Sequence, residues 1–203
     1  KKIYKDIFWE IQNASNKKVL NDNLAMIKST EKVVIQRLTD LTKQFWPGGK
    51  VRVDIVYYAK SSRQNMNNRP YTSIFPTHVV MNSAGDSDRP FGNWLELLYH
   101  ESSHPLILSS SGFVSGTIMD VAETSGAKPL RSLWHAYLFY FSGVVSKQAL
   151  ETQGIKNYEM YMVRNNVFGW YLPYLEKYLP AYVNKTMTLK DATELIFQDY
   201  KKK

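Results

Sequence analysis

Two linked segments decide how this 203-residue chain is read: Thr77-His78-Val79-Val80-Met81-Asn82, and Asn93-Trp94-Leu95-Glu96-Leu97-Leu98-Tyr99-His100-Glu101-Ser102-Ser103-His104. The first is short and β-branched, the pattern of a strand. The second sets Trp94, Leu95 and Leu98 at helical spacing and predicts a helix from Asn93 to His104. The residues between them, SAGDSDRPFG, read as a loop. A strand feeding directly into a helix, in a chain helical on both flanks, predicts an α+β fold.

Working outward, the first 46 residues read as helical, with Ile3, Ile7, Phe8, Ile11, Leu20, Leu24 and Ile27 recurring at helical intervals. A further amphipathic run, Val33 to Phe45, stops at Trp46-Pro47-Gly48-Gly49. Val51 to Tyr58 alternates and reads as a strand, and the polar stretch 60–73 as an exposed loop. Beyond the central helix, a Ser/Gly-rich break at Ser109–Gly116 precedes a short helix, Thr117 to Thr124. Pro129 opens a longer helix through about Ser142, proline being favourable in a first turn. The last third is helical, punctuated by Gly154 and Pro180, with Thr188 capping the final helix. With no repeat, low-complexity tract or linker, residues 1–203 read as a single domain.

Composition narrows the chemistry. Without cysteine there is no disulfide, thiol nucleophile or thiolate metal site, so any metal is held by His, Asp or Glu. The net charge of +8 does not form a stripe: Lys1, Lys2, Lys5 and Lys201 to Lys203 supply six of the 26 basic residues. Residues 70–150 carry four basic and six acidic side chains. That distribution, with no zinc-finger or RNA-recognition signature, argues against nucleic-acid binding. No apolar run is long enough for a membrane span. A chain that begins at Lys1 and lacks cysteine reads as a processed, secreted or periplasmic product. Oligomeric state is not legible.

The chemistry sits in Tyr99-His100-Glu101-Ser102-Ser103-His104. Histidines at i and i+4 of a helix project from one face, close enough to share one metal ion. A glutamate directly after the first can take a proton from water at that ion. This is the HExxH arrangement of zinc metallopeptidases. Pro105 bends or ends the helix at once, because its ring disfavours helical geometry at His104.

Hydrolytic zinc needs three protein ligands and an open position. Glu123 follows His104 after 18 intervening residues, on the next helix. With it the sequence resembles the gluzincin metallopeptidases, whose signature is HExxH, a spacer of this size and a ligand Glu. The resemblance covers residues 77–123 and implies a small zincin-like mixed sheet with an edge strand beside the HExxH helix. It implies one zinc ion per chain, held by His100, His104 and Glu123, with Glu101 as general base in peptide-bond hydrolysis. Peptides or proteins are then the substrates, and the strand ahead of the helix lines the cleft, with Asn82 and Ser83 contacting substrate. The group that stabilises the oxyanion comes from a later helix; His135 is the first candidate, with Tyr137, Tyr140, Tyr158 and Tyr161 as alternatives. Asp120 lies three residues before Glu123 on the same face, as an orienting partner for a ligand imidazole or as a surface acid. Were Glu123 not a ligand, the third would be sought at Asp120 or His135. His78 reads as a strand histidine or a further site group. The alternative to a peptidase is a catalytically silent zincin-like binding module.

Overall fold

The computed structural model describes residues 2–46, 48–61, 66–85, 91–107 and 112–201. Pro47 of the expected helix stop, part of the loop between strand and motif helix (86–90) and part of the Ser/Gly-rich break (109–111) lie outside the described residues.

The chain opens as one helical rod. A turn, α1 (Lys2–Tyr4), passes through a π-helical stretch (Lys5–Trp9) into α2 (Glu10–Thr42). At 33 residues α2 is about 50 Å long. Val19, Asn23, Thr30, Val34, Leu38 and Leu41 recur at three-, four- and seven-residue steps and form its buried face. The rod ends at Thr42, before the expected stop at Trp46, because Lys43 adopts a left-handed capping conformation (φ 52°). Tyr182 donates to the carbonyl of Leu41 at 2.5 Å and so occupies one of the helix's last free acceptors.

The sheet is small and mixed: β1 (Arg52–Val56) pairs in parallel with β5 (His78–Asn82), which pairs antiparallel with β4 (Tyr71–Ser73). A separate two-residue ladder joins β2 (Lys60–Ser61) to β3 (Met66–Asn67). Two expectations need correction here. The stretch 60–73 is not simply an exposed loop but contributes β2, β3 and β4. The strand ahead of the motif helix, β5, is central rather than at the edge, with strand order β1-β5-β4. Its Val79, Val80, Met81 and Asn82 are buried on both faces, which suits an inner strand.

Helix α3 (Asn93–Ser103) lies on this sheet and runs into a 3₁₀ turn, His104–Leu106. It is followed by α4 (Phe113–Thr124), α5 (Leu133–Thr152), the short α6 (Tyr161–Arg164), α7 (Leu172–Val183) and α8 (Leu189–Lys201). The α5 helix starts after Ser132, not at Pro129, and continues to Thr152, beyond the expected end at Ser142. Thr188 caps α8 as expected, its hydroxyl accepting the amide of Asp191 at 3.1 Å. Among the described residues no helix is long and apolar enough to cross a membrane.

Helix α5 is the spine of the main core, with Leu133, Tyr137, Leu138, Phe141 and Leu150 fully buried. A second cluster, Val79, Met81, Trp94, Leu97, Leu98 and Val19, fills the space between sheet, α3 and α2. Ile27 and Phe139 touch both clusters and join them.

Two features fix the start and roll of α3. Gly92 holds φ +89° at its N-cap, where an added Cβ would lie 2.8 Å from the Tyr158 ring and 2.9 Å from Leu150. Glu96, almost fully buried, accepts from the Tyr158 hydroxyl (2.6 Å) and the Tyr161 amide (2.9 Å). Burial nevertheless pushes its pKa up to about 7.

We expect Gly92→Ala to destabilise the fold by roughly 2–4 kcal/mol in urea unfolding, from left-handed strain plus overlap. Gly85→Ala, at φ +74° with nothing within 4 Å, should lose only the conformational part, about 1–2 kcal/mol. Glu96 binds its proton more tightly folded than unfolded. Its contribution is therefore fully present below pH 4.5 and lost as pH rises through about 7. Glu96→Gln should flatten the pH–stability curve across that window, by up to about 3 kcal/mol relative to wild type.

Candidate metal centre

Three buried polar contacts hold α3 in one rotation. The Trp94 indole donates to the carbonyl of Asn82 (3.1 Å), Glu96 meets Tyr158, and the Tyr99 hydroxyl pairs with Thr30 of α2 (2.8 Å). With the roll set, His100 and His104 point the same way, ring centroids 4.9 Å apart. Helix α5 brings His135 to meet them: Nε2 of His100 and Nε2 of His135 are 3.1 Å apart. One ligand atom from each of the three histidines lies within 4.8 Å of the other two.

Their surroundings keep these imidazoles neutral. Burial lowers the pKa of His100 well below the ordinary value, and the nearby His104 and His135 lower it further. Burial first, then the charge of His135, lowers His104 to about 3, and burial lowers His135 to about 4. Neutral imidazoles carry the lone pairs a metal requires. The Phe139 ring stacks on His100 at 3.7 Å, Trp134 stacks on His135 at 4.9 Å, and Phe168 meets His135 edge-on at 5.3 Å. These rings keep the imidazoles from swinging away.

Ser142 selects the tautomer of His100. Its hydroxyl donates to the carbonyl of Leu138 at 2.8 Å, so its oxygen is left to accept from Nδ1–H of His100 at 3.4 Å. The lone pair of His100 then sits on Nε2, facing the other two histidines.

Glu101 is shaped by its neighbour Pro105. Without an amide, Pro105 cannot bond the carbonyl four residues back, and that carbonyl belongs to Glu101. The His104 amide turns to it in a 3₁₀ bond, and the Thr72 hydroxyl of β4 reaches it at 2.7 Å. The same hydroxyl lies 2.7 Å from the Glu101 carboxyl. One hydroxyl proton cannot serve both oxygens. Both contacts become hydrogen bonds when Glu101 is protonated and donates to Thr72, which donates to the carbonyl. Burial pushes the Glu101 pKa up to about 7, partly opposed by Thr72. Its Oε2 stands 3.5 Å from His104 Nε2.

The remaining sequence candidates fall elsewhere. Glu123 is exposed near the end of α4 and is not part of the three-histidine group. Val114, Ile118, Val121 and Ala122 form the buried stripe of that helix, which turns position 123 outward. Asp120 is exposed on the same helix, its carbonyl accepting the Thr124 hydroxyl; Ser142 meets the imidazole instead. Asn82 and Ser83 are buried and hydrogen-bonded inside the protein, and Ser83 lines a groove with Ser15, Asp22 and Tyr57 that does not include the three histidines. Asn82 donates to Ala84 (3.2 Å), and the Ser83 hydroxyl donates to Asn16 of α2 (2.6 Å). His78 lies against Asp54 of β1 at 3.0 Å. Tyr137 is bonded to Thr193 and Tyr158 to Glu96, Tyr140 is buried, and Tyr161 stacks on Phe139. His135, expected as the oxyanion partner, lies in the three-histidine group that could hold a metal ion.

Sequence reasoning missed Thr72, Ser142 and the aromatic packing. Thr72 lay in a stretch read as loop, although Tyr71-Thr72-Ser73-Ile74 has β-favouring residues on which a strand could have been drawn. For the approach of His135 to the motif pair a signal existed: it is one of only four histidines, on the next long helix after the motif.

Three neutral imidazoles converging beside a carboxyl group fit a zinc ion by donor type and number. Comparison with known proteins adds no relative to this picture: no family model, no curated protein and no solved structure matches the chain.

Proposed function

We propose that this chain is a zinc-dependent peptidase in which His100, His104 and His135 hold the metal and Glu101 is the general base. The observation that carries this reading is the approach of His135 to the HExxH pair, 3.1 Å from His100 between nitrogens. It keeps the hydrolytic chemistry implied by the gluzincin resemblance and assigns the third ligand to a histidine of α5 in place of Glu123. Bound there, zinc supplies Lewis acidity to a carbonyl oxygen and to water.

The chain's own residues do the rest. Glu101 takes a proton from the attacking water and returns it to the leaving amine. Thr72 holds the carboxyl in place through its hydroxyl. On the side away from β5, β4 carries no further strand among the described residues, and on our reading this is the flank on which an extended peptide pairs beside Glu101.

Elemental analysis after dialysis should find about one zinc per wild-type chain, as a three-imidazole site predicts. His135→Ala should lose it, while Glu123→Gln should keep it. Loss in Glu123→Gln with retention in His135→Ala would overturn the ligand assignment. Glu101→Gln should retain zinc yet lower cleavage of a peptide library by about 10²–10⁴-fold. A wild-type protein that holds zinc and cleaves nothing would be a binding module instead.

A further inference from the structure

The beginning of the helical rod leaves a stripe of large apolar side chains outside the fold. Ile3, Tyr4, Ile7, Phe8, Trp9 and Ile11 keep between 45 and 72% of their surface exposed. No residue of α1 or of the π-helical stretch is buried, and burial along α2 begins only at Val19. Ile3, Ile7 and Ile11 follow one another at four-residue steps, with Tyr4 and Phe8 stacked beside them at 6.4 Å. The Tyr4 hydroxyl donates to Gln12 of the same rod at 2.7 Å. Scattered exposed apolar residues are ordinary, but a contiguous stripe on a projecting arm marks a surface that meets a partner.

Charge selects the partner. Residues 1–18, ahead of the first buried position, hold five lysines, Lys1, Lys2, Lys5, Lys17 and Lys18, against two acids, Asp6 and Glu10. Lysines interleaved with Ile, Phe, Tyr and Trp make the composition of a helix that lies in the headgroup layer of an anionic bilayer. A second copy of the arm laid on this stripe would bring like charges together. An anionic surface instead attracts each of those lysines. The net charge of +8 over the whole chain acts in the same direction.

We propose that this N-terminal arm is an interfacial anchor that lays the protein on an anionic phospholipid surface. Ile3, Ile7, Phe8 and Ile11 enter the boundary between headgroups and acyl chains, and Lys2 and Lys5 contact phosphates. The arm lies on the bilayer without crossing it.

The test is cosedimentation of the full chain with vesicles of phosphatidylcholine alone or mixed with phosphatidylglycerol, at low and high salt. Wild type should bind the mixed vesicles, release with salt, and leave pure phosphatidylcholine largely unbound. Ile7→Glu/Phe8→Glu should weaken binding at least about tenfold. Its melting temperature should match wild type, since neither side chain reaches the core. Three results would overturn the proposal: no binding to mixed vesicles, equal binding to both vesicle types, or unchanged binding by the double variant. Sedimentation analysis without lipid separates the other occupant. A concentration-dependent dimer abolished by the same substitutions would assign the stripe to a second copy and reject the lipid reading.

Discussion

Every residue of α3 is buried, and the rest of the molecule is arranged around that constraint. A helix with no solvent-facing side must find partners within the protein for each polar side chain it carries. Asn93 and Glu96 find Tyr158, Tyr99 finds Thr30, Glu101 finds Thr72, and Ser103 bonds back to the carbonyl of Tyr99. These partners come from α2, β4 and the segment after α5, so the neighbouring elements are tied to α3 by polar contacts as well as packing. The price of so much buried polarity is ionisation: two carboxyl groups are driven towards neutrality and three imidazoles away from their charged form. A divalent ion among those imidazoles would be compensated by lone pairs and by the ionised form of Glu101.

Much of this was legible in the order of residues, and the reasons are local. HExxH spacing on a helix is a matter of 3.6-residue geometry, so His100, Glu101 and His104 could be placed without tertiary knowledge. The proline stop after His104 and the Thr188 cap are equally local effects. Glu123 was chosen by distance along the chain, and distance along the chain carries no information about which way a helix is rolled. The roll of α4 follows from its apolar stripe, and Val114, Ile118, Val121 and Ala122 turn Glu123 to the solvent. Read as a helical wheel, those four residues would have cast doubt on the assignment.

The other departures are topological. Nothing in Thr77–Asn82 says that a strand from the preceding loop will cover its flank, because a three-residue strand leaves little periodic signal. β4 was hidden for that reason, and Thr72 with it. The same limit applies to Ser142: its role arises where two helices cross, and its neighbours in sequence, Phe141 and Gly143, give no hint of a histidine on another helix.

The shortness of β4 sets a footprint. Alternate residues of a strand turn their backbone groups to opposite flanks, so three residues offer an incoming chain the amide and carbonyl of only one or two of them. Backbone pairing of that length grips a ligand weakly and reads out little of its sequence. An extended chain docked there would be recognised over a span of two or three residues. If β4 is the proposed peptide-pairing strand, a footprint of that length would favour short stretches of many chains over one long and particular sequence.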